Sequence, residues 1–129
     1  MKGRTLLVGG LSSLHDPLCS AALRALGFEA ATLHRCTDAG LRRARALGNH
    51  GQCNPAHYTV GAVLEHAAAS GLAPSDFAAR HAWLTLGSNG PCRLAAFGFE
   101  YRRVLAGAGL EALPIQSVGQ LAFVGHLTD

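Results

Sequence analysis

Short apolar runs of strand type alternate with helical periods along almost the whole chain, and this alternation restricts the fold more than any other feature. Residues 5–9, TLLVG, form a brief apolar run closed by Gly9 and Gly10, the pattern of a strand buried on both faces of a parallel sheet. DPLCSAALRALG follows, with Asp16 as a helix N-cap, Pro17 at the first helical position, Leu18, Ala22 and Leu26 on one apolar face, and Gly27 as the stop. FEAATLH reads as a second strand, and TDAGLRRARALG as a second helix capped by Thr37 and ended at Gly48. After a turn from Asn49 to Gly51, Asn54 and Pro55 open a helix that runs to about Ser70, with Leu64, Ala67 and Ala68 on its buried face. HAWLTLG is the third strand, GPCRLAAFGFEYRRVLAGAG a further long helix, and LEALPIQSV the fourth strand. Strands that alternate with helices imply right-handed crossovers. The expectation is a single three-layer α/β domain over residues 1–129 with a mainly parallel four-stranded sheet.

Composition supports one such domain, since 129 residues that are 49% hydrophobic and 15% charged suffice for one core. No stretch approaches the ~20 apolar residues that cross a bilayer. The first sixteen residues, with glycines and then His15 and Asp16, lack the apolar region of a signal peptide. These features predict a soluble, cytoplasmic protein with no membrane partner. The formal charge of +3 rests on eleven Lys and Arg against eight acids, and Arg42, Arg43, Arg45, Arg93, Arg102 and Arg103 are dispersed rather than fused into a block. That dispersal is only weak evidence for nucleic acid, which is not expected as a partner, and a small negative molecule is equally compatible with it.

The cysteines carry the most chemistry. Four of them without an export signal do not make a disulfide framework. In an open parallel sheet, ligands bind beyond the carboxyl ends of the strands, where loops lead into helix N-termini. Cys92 lies in the loop after the third strand, and Cys53 lies just ahead of the helix opened by Asn54 and Pro55. A helix N-terminus stabilises a thiolate, so two thiols placed there read as metal ligands. Gly51 and Gly90 fit beside them, because a missing Cβ lets backbone amides approach the sulfurs of a cluster. Against this stands the ordinary behaviour of free cysteine as a small buried hydrophobe, which is the better reading of Cys19 beside Ala22 and Leu23.

Two other patterns compete. Cys36 and Arg42 have the spacing of a cysteine-dependent phosphatase loop, although Asp38 between them would repel phosphate. His50, Cys53 and His57 form a local cluster with zinc-ligand chemistry. Tyr101, Arg102 and Arg103 read as one face of the helix that Cys92 introduces, either solvated or turned to an anionic partner.

The segments GNHGQCNPAHYTVGAVLEH and LGSNGPCRLAAFGFEYRRVL together resemble the paired glycine–cysteine–proline and Gly-Pro-Cys-Arg segments of the 2-hydroxyacyl-CoA dehydratase and benzoyl-CoA reductase-like family, including its double-cubane-cluster relatives. The likeness spans essentially the whole chain, and Gly90-Pro91-Cys92-Arg93 is its most specific element. Gln52 stands where the family carries an acidic residue, and Leu94-Ala95 stands where it carries Phe-Gly. The resemblance implies a Rossmann-like domain that binds an iron–sulfur cluster, [4Fe–4S] or double-cubane, and serves low-potential electron transfer. It implies a component of an oxidoreductase or dehydratase rather than a complete enzyme, with single electrons supplied by an ATP-dependent activator protein. Carried over, Cys53 and Cys92 match the cluster ligands and Arg93 the arginine after the second of them. The remaining ligands would then come from Cys36 or from a second domain or subunit, a second copy of the chain included. The alternative is a non-catalytic α/β module whose cysteines are structural or bind zinc.

Overall fold

The computed structural model describes residues 3–88 and 91–119. The elements run β1 (Thr5–Val8), α1 (His15–Ala25), β2 (Ala30–Thr32), α2 (Asp38–Leu47), α3 (Asn54–Ala69), α4 (Pro74–Arg80), β3 (His81–Leu86), a 3₁₀ turn (Arg93–Ala96), α5 (Phe97–Gly107) and β4 (Ile115–Val118). All four strands pair in parallel in the order β2-β1-β3-β4, with Leu7 opposite both Ala31 and Trp83, and Trp83 opposite Ile115. The fold is therefore the three-layer α/β architecture that the alternating pattern predicts, and it is Rossmann-like.

Period-two side-chain alternation splits the sheet residues between two cores. Leu7 and Trp83 face α3 and α5, where they join Val60, Leu64, Tyr101 and Val104 in the larger core. Leu6, Val8 and Ala82 face the other way and meet Leu23 of α1, with Cys19 packed against them. Cys19 is thus a packing residue. The second helix does not lie on the sheet as a simple crossover. It runs antiparallel to α3, its Thr37 end at Glu65 and its Gly48 end against His57, so the chain crosses to β3 through α3.

Several local expectations change. Asp16 is not the cap of α1, which begins at His15. Its carboxylate instead accepts the amides of Gly10 and Leu11 at 3.3 and 3.0 Å, tying the turn after β1 to the helix. The apolar face of α1 is reversed as well, since Leu18 and Leu26 are 64% and 67% exposed while Ser20 and Leu23 are buried. Ser20 tolerates burial because its hydroxyl donates to the Asp16 carbonyl and accepts from Thr32. Ala68 is exposed, near the end of α3. The segment APSDF, unassigned in sequence, forms α4 with Pro74 in its first turn and Phe77 buried. The helix expected from Gly90 begins later, as a 3₁₀ turn that becomes α5 at Phe97. Thr37 does cap α2, its hydroxyl accepting from Ala39 and Gly40.

Candidate functional site

Helix α3 descends from the carboxyl edge of the sheet to its amino edge. Near its start, Thr59 lies against Gly10, just beyond β1, and near its end His66 meets the ring of His81, the first residue of β3, at 6.1 Å. Cys53, the N-cap of α3, consequently stands at the carboxyl edge. Cys92, the N-cap of the 3₁₀ turn, stands at the same edge because it follows β3. Cys53 is half-buried against the larger core, while Cys92 is exposed.

The two cysteine-bearing turns touch through Arg93. Its Nη1 donates a long hydrogen bond of 3.4 Å to the Gly51 carbonyl, joining segments 42 residues apart. Gly51 therefore acts through its carbonyl and not through the missing Cβ, since a Cβ there would meet only Asn49 Oδ1, at 3.6 Å. The turn is further held by Asn49, whose side chain accepts the Gly51 amide and whose carbonyl accepts the Gln52 amide. Gly90 lies outside the described residues.

Beneath this turn is a buried polar pair that sequence reasoning did not single out. Glu100, 6% exposed, accepts the Asn49 amide with Oε1 and lies 3.5 Å from Nε2 of His57, which is 1% exposed. The signal was present, since Glu100 sits three residues after Phe97 and four before Val104 and so falls on the buried face of α5. Tyr101 is likewise in the core, 2% exposed, its hydroxyl meeting Thr59 and Thr85, so only Arg102 and Arg103 of that expected face reach solvent. His57 is packed inside the molecule and His50 is exposed, and with Cys53 they form no metal-holding group among the described residues.

Cys36 goes elsewhere. Its sulfur rests against Gly40 and Gly61, close enough that a Cβ on Gly61 would come within 2.5 Å of it. Gly61 is eight residues past Cys53, about 12 Å along the helix axis. Loss of solvent, then the charges of Glu65 and Asp38, push the Cys36 thiol up to about 11. Burial alone would raise the Glu65 carboxyl, but bonds from the Thr37 hydroxyl and amide, the Gly40 amide and the Cys36 thiol hold it below its ordinary value. A thiol that donates to the Thr37 carbonyl beside the Glu65 carboxylate suits neither a phosphatase nucleophile nor a metal-bound thiolate. At pH 8 the Cys36 thiolate should be about 100-fold scarcer than that of a cysteine titrating at 9.0, and because a more basic thiolate is also more nucleophilic, iodoacetamide should label Cys36 about tenfold more slowly. Site-resolved mass spectrometry reads the rates, and labelling of Cys36 as fast as that of Cys92 would contradict this environment.

Among the described residues no group of three or more His, Cys, Asp or Glu is arranged to hold a metal ion. Two thiols at one edge are half of the Cys₄ set that a [4Fe–4S] cluster takes. No helix among the described residues is long and apolar enough to cross a membrane. No family model, curated protein or solved structure matches this chain.

Proposed function

We propose that this chain is a cysteine half-site for an iron–sulfur cluster in a cytoplasmic redox assembly, with Cys53 and Cys92 as its ligands and a second chain or domain supplying the other thiolates. The observation that carries this reading is the Arg93–Gly51 hydrogen bond, which couples the two cysteine turns at the carboxyl edge. Three features support it further. Each cysteine is an N-cap, where backbone dipoles favour a thiolate. Arg93 adds a fixed positive charge, which with hydrogen bonds raises a cluster's potential. The sequence resembles the ATP-activated 2-hydroxyacyl-CoA dehydratase and reductase family, whose activator protein would be the electron donor. A cluster bound there would supply one-electron transfer at low potential. The protein's own part is to hold the two thiolates at one edge and to keep Arg93 between their turns.

Anaerobic reconstitution with ferrous iron and sulfide tests the reading. The wild-type chain should turn brown, absorb broadly at about 400 nm and bind about four irons per two thiolate pairs. Cys53→Ala/Cys92→Ala should stay colourless, while Cys19→Ala and Cys36→Ala should load like wild type. Arg93→Ala should keep most of its iron and show a lower midpoint potential. Iron uptake by the double variant equal to that of wild type would refute the proposal, as would a colourless wild-type protein holding stoichiometric zinc.

A further inference from the structure

A cavity of about 740 Å³ opens beyond the carboxyl ends of β1 and β2, against the first half of α3. Its size is that of a small-molecule site, and its place, outside the carboxyl ends of two parallel strands, is on the edge where open α/β sheets bind ligands. What it binds follows from which lining groups are already engaged. The amides of Gly10 and Leu11, which at such a turn could hold a phosphate, are occupied by the Asp16 carboxylate. Ser12 serves the amides of Leu14 and His15, Thr32 donates to Ser20, and Thr59 donates to the Pro55 carbonyl. The Cys36 thiol donates to the Thr37 carbonyl.

Arg35 and His34, both exposed at the end of β2, line the cavity without being drawn into these bonds, and Tyr58 presents a ring that is 44% exposed. With the β1 turn closed to anions, the one fixed positive charge among the described lining residues, Arg35, is at the β2 end. Apart from Ser13, the remaining lining side chains are apolar, Leu11, Pro17 and Pro55 among them.

We infer that this cavity is a binding site for a small organic anion with a planar body, its charged group at Arg35 and His34 and its ring on Tyr58. The anion is a carboxylate or a phosphate monoester, and its ring lies toward Pro55, two residues from Cys53. The site is independent of the cysteines as ligands, so it stands or falls separately from the iron–sulfur reading.

Isothermal titration of the full chain with AMP and, separately, with phenylacetate distinguishes the two sources of that chemistry. Saturable binding of either probe supports the inference and names the class. Arg35→Ala should weaken that binding about tenfold, the scale of one charge-assisted hydrogen bond. Tyr58→Ala should weaken it severalfold, and added salt should weaken it as well. Both side chains are exposed, so circular dichroism should report unchanged folding. Cys53→Ala/Cys92→Ala should bind the probe as wild type does. Failure of both probes to bind at millimolar concentration would overturn the inference, as would binding that Arg35→Ala and Tyr58→Ala leave unchanged.

Discussion

Glu100→Ala is expected to lower the unfolding free energy by about 3 kcal/mol, because it strips a buried polar cluster of its acceptor. Glu100 is 6% exposed and receives the Asn49 amide, and His57 lies beside it at 1% exposure. Removing the carboxylate leaves the Asn49 amide facing an apolar gap at its full desolvation cost, and it takes away the charge beside His57, whose ring nitrogens have no hydrogen-bond partner among the described residues. Glu100→Gln keeps an oxygen at the same position and should cost about 1 kcal/mol. Urea unfolding of the three proteins at neutral pH measures the difference. Equal, small losses for both variants would mean that Glu100 does not anchor the turn. The local consequence matters more than the global one, since the turn that Glu100 holds leads directly into Cys53. A loosened Asn49 would therefore also weaken the contact between Gly51 and Arg93.

Trp83→Ala should be the most damaging single truncation in the core, costing about 4 kcal/mol. The indole is fully buried on a strand flanked by β1 and β4, and its ring lies 4.6 Å from that of Tyr101. Alanine would leave a cavity between the sheet and α5 that neither rigid neighbour can close. A domain of this kind has about 5–15 kcal/mol of stability in all, so the variant should be partly unfolded at 37 °C. Trp83→Phe is the informative control. The Trp83 Nε1–H is buried with no hydrogen-bond partner among the described residues, so phenylalanine loses some packing but also removes an unsatisfied donor. Its cost should stay near 1 kcal/mol. Thermal melts followed by circular dichroism decide between these values, and equal losses for the two variants would show that packing volume is not what the tryptophan supplies.

Both changes act on residues whose importance differs in how far it could be read in advance. Trp83 stands in HAWLTLG, an apolar strand pattern, and its burial follows from that pattern. Glu100 stands on an apolar helix face, and a buried carboxylate is a departure that only a partner can explain. The partner, the Asn49 amide, is 51 residues away.

The sequence by itself determined what depends on interactions within a turn or two of chain. The strand order, the Thr37 cap, the glycine stop at Gly27 with its φ of +87° and the place of Cys53 just ahead of α3 are all of that kind. Tertiary structure alone decided the rest. The apolar leucines of α1 were visible, but a helix with apolar residues on more than one side does not say which side meets the sheet, and here Ser20 and Leu23 do. The sequence offers Cys36 as a thiol like the others, yet α2 folds back along α3 and brings it to Glu65, whose carboxylate also takes the amide of Thr37 from 28 residues away. The meeting of Arg93 with Gly51 across 42 residues has the same origin. Periodicity reports which positions are buried, whereas hydrogen bonds between loops depend on how the crossovers stack the helices, and that is settled only when the whole sheet is assembled.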